Sequence, residues 1–458
     1  MLKVSLVGIC VLLALLVHAQ DEIDLLDENQ DEDSPVSEES TVGQKGLTTT
    51  RPWQATDFSK QAGSIGYTAD AFSVPKGLEI QYNFWIDIYS KYSTDQGLIH
   101  DSENIDLIYE VLDFNPIMTR SNWNIFRKDI AKKQIIKNAK EKWIQILKKF
   151  EKIKSPDKLD ADERRVWDYF TRIPERKKFK LAQSERRLRF QLGQRDRFIQ
   201  AIFFSGRYLE DFESIFREMG LPIELTRIPF VESSYNVLAR SKVGASGIWQ
   251  IMPYTARPYF KTDPAVDMRN HPIEAAVLAA KLFRSSYSML QSWPLAVTGY
   301  NHGPLGVQKV TKKFKTRELG ELVKSRNAQR KFGFASRNFY ASFLAALEVE
   351  RNAPKYFGTV NWSQALEGID MRLPLEISYK TLLSWFDGDD LRTQIFNPHI
   401  NSEARNKGRP IPKNALISVP RSKYDLVQKE LTLLSEQQEA IKALPKQKQK
   451  QKQKKGKR

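Results

Sequence analysis

The part of this sequence best equipped for chemistry runs Ile228-Pro-Phe-Val-Glu-Ser-Ser-Tyr-Asn236 and continues through Ala239-Arg-Ser-Lys-Val-Gly-Ala-Ser-Gly-Ile-Trp-Gln-Ile-Met-Pro253. Glu232 comes after four apolar or proline positions. Such a setting desolvates a carboxyl group, raises its pKa and suits it to general acid catalysis. Taken alone, the same pattern also fits a satisfied glutamate at a helix start. The residues downstream of it shift the reading: Gly244 and Gly247 permit close backbone approach, and Gln250 carries an amide able to recognise an acetamido or hydroxyl group. Further on, Ala296-Val-Thr-Gly-Tyr-Asn-His-Gly303 sets the Tyr300 phenol beside the Asn301 amide, just before a glycine turn. Ser233 reads as a packing or capping residue, since no Ser-His-Asp arrangement surrounds it. The histidines, His18, His100, His271, His302 and His399, show no metal-ligand spacing, so neither metal nor cofactor is implied.

These residues need elements to hold them, and the surrounding periodicity is helical from about Glu79 to Gly220. Trp123, Phe126, Ile130, Ile136, Trp143, Ile146, Leu147 and Phe150 recur at helical spacing among lysines, as do Tyr208, Phe212, Ile215, Phe216 and Met219. Both sets read as buried faces. Gly220 and Pro222 end the second helix. Pro272 to Leu290 predicts a helix whose Ala275, Ala276, Ala279 and Ala280 allow close packing, and Arg337 to Val349 predicts another buried helix. Beyond Pro354 the texture changes. Strand-like segments at Met371–Leu375 and Ala415–Val419 bracket helical stretches at Tyr379–Phe386 and Leu391–Phe396, a small strand–helix–helix–strand module.

At 458 residues, the chain is long enough for two or three domains. With 41% apolar and 28% charged residues it is neither wholly disordered nor fibrous. The net charge of +17 is uneven: residues 21–40 hold ten acidic and no basic side chains, and residues 446–458 hold eight basic and no acidic ones. The body between is itself strongly basic, which points to a polyanionic neighbour. Met1 to Gln20 has a basic start at Lys3, an apolar run from Val4 to Val17 and small residues before an acidic segment, the pattern of a secretory signal cleaved after Ala19. Its apolar run is shorter than the ~20 residues that span a bilayer, and no later run is long enough. Ile9 before Cys10 does not suit a lipoprotein box, and Cys10, the only cysteine, leaves with the signal.

The catalytic-looking segments resemble the lysozyme-like lytic transglycosylases of bacterial cell walls, particularly the membrane-bound lytic murein transglycosylase D group. Three marks carry the resemblance, in order: Glu232-Ser233, Ala239 through Pro253, and Tyr300-Asn301-His302-Gly303. The similarity spans about Gly193 to Val349, with Gly206-Arg-Tyr-Leu209 and Gly220-Leu-Pro-Ile-Glu-Leu225 leading into the acid. The resemblance implies a mainly α, goose-type lysozyme-like catalytic domain with a helical N-terminal extension and a small α+β C-terminal module. It implies that Glu232 protonates the glycosidic oxygen after N-acetylmuramic acid and then takes the proton of the sugar's 6-hydroxyl, closing a 1,6-anhydro ring. One carboxylate then suffices, where ordinary glycosidases use two. By the same resemblance Ser241, Gln250 and Met252 line the saccharide site, Tyr300 orients the acid and Asn301 supports its turn. One departure is Ala335-Ser-Arg-Asn-Phe339, which stands where many relatives carry Glu-Thr-Arg-x-Tyr and so lacks the Glu and the Tyr hydroxyl.

The expected organisation is a signal peptide at 1–19, an acidic leader at 20–60, a helical region at 61–200, the catalytic domain at 201–352, a small α+β module at 353–425 that resembles a LysM repeat in size and order, and a helix with a basic tail at 426–458. The expected function is cleavage of peptidoglycan glycan strands by a monomeric enzyme in the periplasm or outside the cell, associated with the wall or outer membrane. It has no nucleic-acid partner and no membrane-spanning segment once the signal is removed. Two alternatives remain: a goose-type muramidase, with modified wall as a candidate substrate, and a non-catalytic wall-binding protein on the same fold. Intact Glu232, Gln250 and Tyr300 speak against the second.

Overall fold

A computed structural model describes residues 50–58, 63–68, 70–325 and 332–443. The expected signal peptide, most of the acidic leader and the basic tail from Lys446 lie outside the described residues. The described chain is mainly helical and builds three apolar cores. Among the described residues no helix is long and apolar enough to cross a membrane.

A short strand β1 (Thr50–Pro52) leads to helix α1 (Glu79–Ser90), which buries Phe84, Trp85, Ile88 and Tyr89. The chain then leaves for a separate small body. Strands β2 (Gln96–Asp101), β3 (Ile108–Asp113) and β4 (Leu188–Leu192) form an antiparallel sheet in the order β3-β2-β4. Helices α2 (Ile125–Phe150) and α3 (Ala161–Thr171) cover it, the second opened by a capping box between Asp160 and Glu163. Ile99, Tyr109, Trp143, Leu147, Val166 and Phe170 close this core.

The region expected to be helical throughout, 61–200, is therefore split. Its first helix belongs to the largest core and most of its remainder forms a body with a sheet. The strands are five or six residues long and alternate too little to announce themselves; β2 is buried along almost its whole length. The periodic face of α2 also begins later than expected, because Phe126 (72% exposed) and Ile130 (52%) stand in solvent while Ala139, Trp143, Leu147 and Phe150 are buried. Periodicity marks a face without saying how much of it has a partner.

The largest core belongs to the remaining helices. These are α4 (Arg195–Ser205), α5 (Leu209–Glu218), the five-residue α6 (Ile228–Glu232), α7 (Pro272–Leu290), α8 (Trp293–His302), α9 (Pro304–Phe314) and α10 (Phe334–Arg351). Helix α7 follows its predicted bounds, and its alanines at 275, 276, 279 and 280 are all buried. Helix α10 is buried on nearly every face, and it packs against α1 as well as α8. Strand β5 (Asn361–Ser363) pairs antiparallel with β1, Thr50 facing Ser363.

The C-terminal module holds the two expected helices between two strands, with a further four-residue helix, Ser402–Arg405, before the second strand. Strand β6 (Gly368–Arg372) is followed by helices α11 (Tyr379–Ser384) and α12 (Asp390–Phe396), then β7 (Leu416–Pro420) returns antiparallel to β6. Side chains of Ser378 and Asp389 cap the two helices. Helix α13 (Tyr424–Ala443) closes the module's core through Val427 and Leu431. That core also takes in Ala265 and Val266, from the segment that precedes α7. Asn401 N–H donates to the Ala265 carbonyl at 3.0 Å and Asp267 N–H to that of His399 at 2.8 Å, so the module is stitched to that segment by backbone.

Candidate active site

Glu232 is the last residue of α6, and the chain breaks the helix immediately after it. Ser234 (φ 50°) and Tyr235 (φ 60°) are both left-handed, although neither is glycine. Such residues persist only where the surroundings hold them, at about 1 kcal/mol or more each. What holds them is the buried Tyr235 ring, packed on Phe230 at 4.8 Å, and its hydroxyl, which donates to the Thr226 carbonyl at 2.9 Å. The strain ends the helix at the carboxylate and leaves Glu232 half-buried at the edge of the core.

Beneath the start of α6 lies a charged network. Arg227 is fully buried and donates to Glu213 Oε1 at 2.6 Å, to Glu350 Oε2 at 3.3 Å and to Thr56 Oγ1 at 2.6 Å. Three elements, α5, α10 and the segment after β1, are thus tied to the residue that precedes α6.

The segment 239–253 forms a compact loop beside Glu232. Ser246 bridges to both Arg240 and Ile251, and Gly247 sits where only glycine fits: its φ is 79°, and a Cβ there would lie 2.2 Å from the Arg269 carbonyl oxygen. Two hydroxyls fasten the loop to the acid's surroundings. Ser233 Oγ donates to the Ile248 carbonyl and Tyr300 Oη to the Trp249 carbonyl, each at 2.8 Å. Trp249 is itself buried, stacked on Phe216 at 5.7 Å. Sequence reasoning missed this tryptophan; its signal was an aromatic inside an otherwise small and polar segment.

Tyr300 stacks on Phe283 at 4.6 Å. Burial, and after it the negative charge of Glu232, hold its phenol well above the ordinary tyrosine range. The group therefore stays protonated, as a donor beside the carboxylate. Glu232, Ser233, Ile248, Trp249 and Tyr300 are brought together.

The other expected residues turn elsewhere. Ser241 Oγ accepts the Ala245 N–H at 2.9 Å, within its own turn. The Gln250 amide donates to the carbonyls of Ala239 at 3.1 Å and Gly247 at 2.8 Å, so what it can offer a sugar is its carbonyl oxygen. Met252 is half-buried, and its carbonyl starts the short helix Pro253–Ala256. Asn301 accepts a hydrogen bond from Ser336 Oγ at 2.8 Å. Because that hydroxyl's proton is engaged, His302 Nδ1, at 3.2 Å from the same oxygen, must be the donor there. Burial lowers the pKa of His302 to about 4, so it acts as a neutral strut. Ser336 lies in α10 and ties that helix to the end of α8.

Residues 214–322 match the Transglycosylase SLT domain family. Over 220 residues, 47% of this chain and 46% of the relative, the sequence is 25% identical to the protein named "Membrane-bound lytic murein transglycosylase D" of Escherichia coli (strain K12). The protein of the same name in Escherichia coli O6:H1 (strain CFT073) matches equally. It is also 30% identical over 113 residues, 24% of this chain and 54% of the relative, to the "Putative tributyltin chloride resistance protein" of Alteromonas sp. (strain M-1). The chain spans about half the length of the curated relatives it matches.

Proposed function

We propose that this chain, which carries a Transglycosylase SLT domain match at residues 214–322, is a peptidoglycan lytic transglycosylase with Glu232 as its acid and base. The observation that carries the reading is the placement of Glu232: a half-buried carboxyl at a strained helix end, beside a phenol whose titration feels its charge. A glycan strand lies along the 239–252 loop. Protonated Glu232 donates to the oxygen linking N-acetylmuramic acid to N-acetylglucosamine. The carboxylate so formed then accepts the proton of the 6-hydroxyl as that oxygen closes on the anomeric carbon, giving the 1,6-anhydro sugar. The substrate supplies the nucleophile, so the second carboxylate of ordinary glycosidases is not required. Tyr300 and Ser233 keep the loop at a fixed distance from the acid, and Ser241, Gln250, Met252 and Asn301 shape the rest of the saccharide site.

Mass spectrometry of a purified wall digest tests this reading. Muropeptides lighter by one water are expected, while products with only reducing ends would assign the chain to hydrolysis. Glu232→Gln keeps the shape and removes the proton, so it should lower turnover by about 10²–10⁴-fold with unchanged melting. Wild-type turnover by folded Glu232→Gln would end the proposal.

A further inference from the structure

A cavity of about 290 Å³ lies where the C-terminal module meets the back of the catalytic loop. Leu238, just before that loop, and Arg240, at its start, form one side with Asn270. The other comes from the module, with Gln394, Asn401 and Arg405 among its polar groups and Ile400 on its apolar floor. None of the residues lining it is acidic. The two sides are fixed in register. Val266 bridges to Ile400, Asn401 Nδ2 donates to the Pro264 carbonyl at 2.7 Å, and Ser246 Oγ donates to Asn270 Oδ1 at 2.6 Å, linking the cavity wall to the loop itself.

Arg405 Nε is buried with no hydrogen-bond partner. The neighbouring acid, Glu403, is engaged by Lys407 at 2.5 Å and Arg409 at 3.8 Å. A cleft with two guanidinium groups, amides and an apolar floor, and no carboxylate of its own, suits an acidic peptide, because guanidinium pairs most strongly with carboxylate. We propose that this cleft binds the carboxylate-bearing peptide that peptidoglycan carries on its muramic acid, with Arg240 and Arg405 as the anion-binding pair. The proposal rests on the chain being a peptidoglycan enzyme. It makes the module part of substrate selection: glycan with its peptides intact engages both the loop and the module, whereas stripped glycan engages the loop alone.

The first experiment measures binding. The tetrapeptide L-alanyl-γ-D-glutamyl-meso-diaminopimelyl-D-alanine is titrated into the full chain carrying Glu232→Gln, with and without Arg240→Gln plus Arg405→Gln. Loss of the pair should weaken binding about tenfold or more, the equivalent of one charge-assisted hydrogen bond. Equal binding, or no binding to the unaltered cleft, overturns the proposal. The second compares turnover of peptide-bearing strands with strands stripped by an amidase. Arg405→Gln, which alters the module and leaves the glycan loop intact, should lose about tenfold in kcat/KM on the first substrate and nothing on the second. Equal losses on both, at unchanged melting temperature, also overturn it. A wild-type chain that cleaves neither substrate defeats the enzymatic reading, and the peptide titration still decides the cleft.

Discussion

Ser233 and Tyr300 grip consecutive carbonyl groups, those of Ile248 and Trp249, at the same distance of 2.8 Å. One is the residue after the proposed acid and the other is a buried neighbour that feels its charge. The loop that would cradle the sugar is thus hung from both sides of the carboxylate, and its position is fixed by hydroxyls.

Tyr300→Phe removes one of those hydroxyls and leaves the Trp249 carbonyl buried without its donor. Stability should fall by ~1–3 kcal/mol. Movement of the loop relative to Glu232 should lower kcat by about tenfold to a hundredfold, with less change in KM. A lowered melting temperature with wild-type kcat would show that the phenol only packs.

Gly247→Ala places a methyl group 2.2 Å from the Arg269 carbonyl oxygen at a left-handed position. The backbone must move to accept it, so unfolding in urea should report a loss of at least about 2 kcal/mol. A midpoint unchanged from wild type would contradict the close approach described for this turn.

Arg227→Met leaves Glu213 and Glu350 buried without their common partner. The expected loss is about 3–5 kcal/mol, seen as a large drop in melting temperature. Replacing all three by apolar residues of similar size should recover much of it, since burying a paired charge is itself costly. If the triple variant is no more stable than the single one, the network contributes more than pairing.

Acid should loosen the protein below neutral pH. Burial lowers the pKa of His271 and His302 to about 4 and those of His100 and His399 to about 3. Asp370, 3.6 Å from His271 Nε2, is partly exposed and too distant to reverse that. Each folded-state value lies below the unfolded value of about 6.5, so the unfolded chain binds more protons in between. The stabilisation is complete above about pH 6.5 and is lost as pH falls toward 3–4, by on the order of 1–2 kcal/mol per histidine at pH 5. Urea midpoints that stay level from pH 7 to 4.5 would refute this.

Much of this was legible in the sequence because it was local. The alanine face of α7, the Gly220 stop and the strand–helix–helix–strand order of the module arise from residues near one another in the chain. Glu232 and Tyr300 were legible as types, but not the carbonyls they frame, because a hydrogen bond from Tyr300 to Trp249 has no periodicity. The Arg227 network joins α5 to α10 across a long stretch of sequence, and nothing at Glu213 or Glu350 marks it. The sheet within 96–192 escaped for a different reason: a strand buried on both faces and a short apolar helix segment look alike until their partners are known.

The pairing of Thr50–Pro52 with Asn361–Ser363, and of α1 with α10, also sets an order of assembly. The inserted body closes its core with residues between Ile99 and Leu192 alone, so it can condense as soon as that stretch is made. The largest core cannot. Its first strand and first helix wait for partners at the far end of the domain, and contacts of such long sequence separation form slowly. The nascent chain therefore carries a finished insert and an open groove until Ser363 has emerged, and the surroundings of Glu232 are among the last parts to be completed.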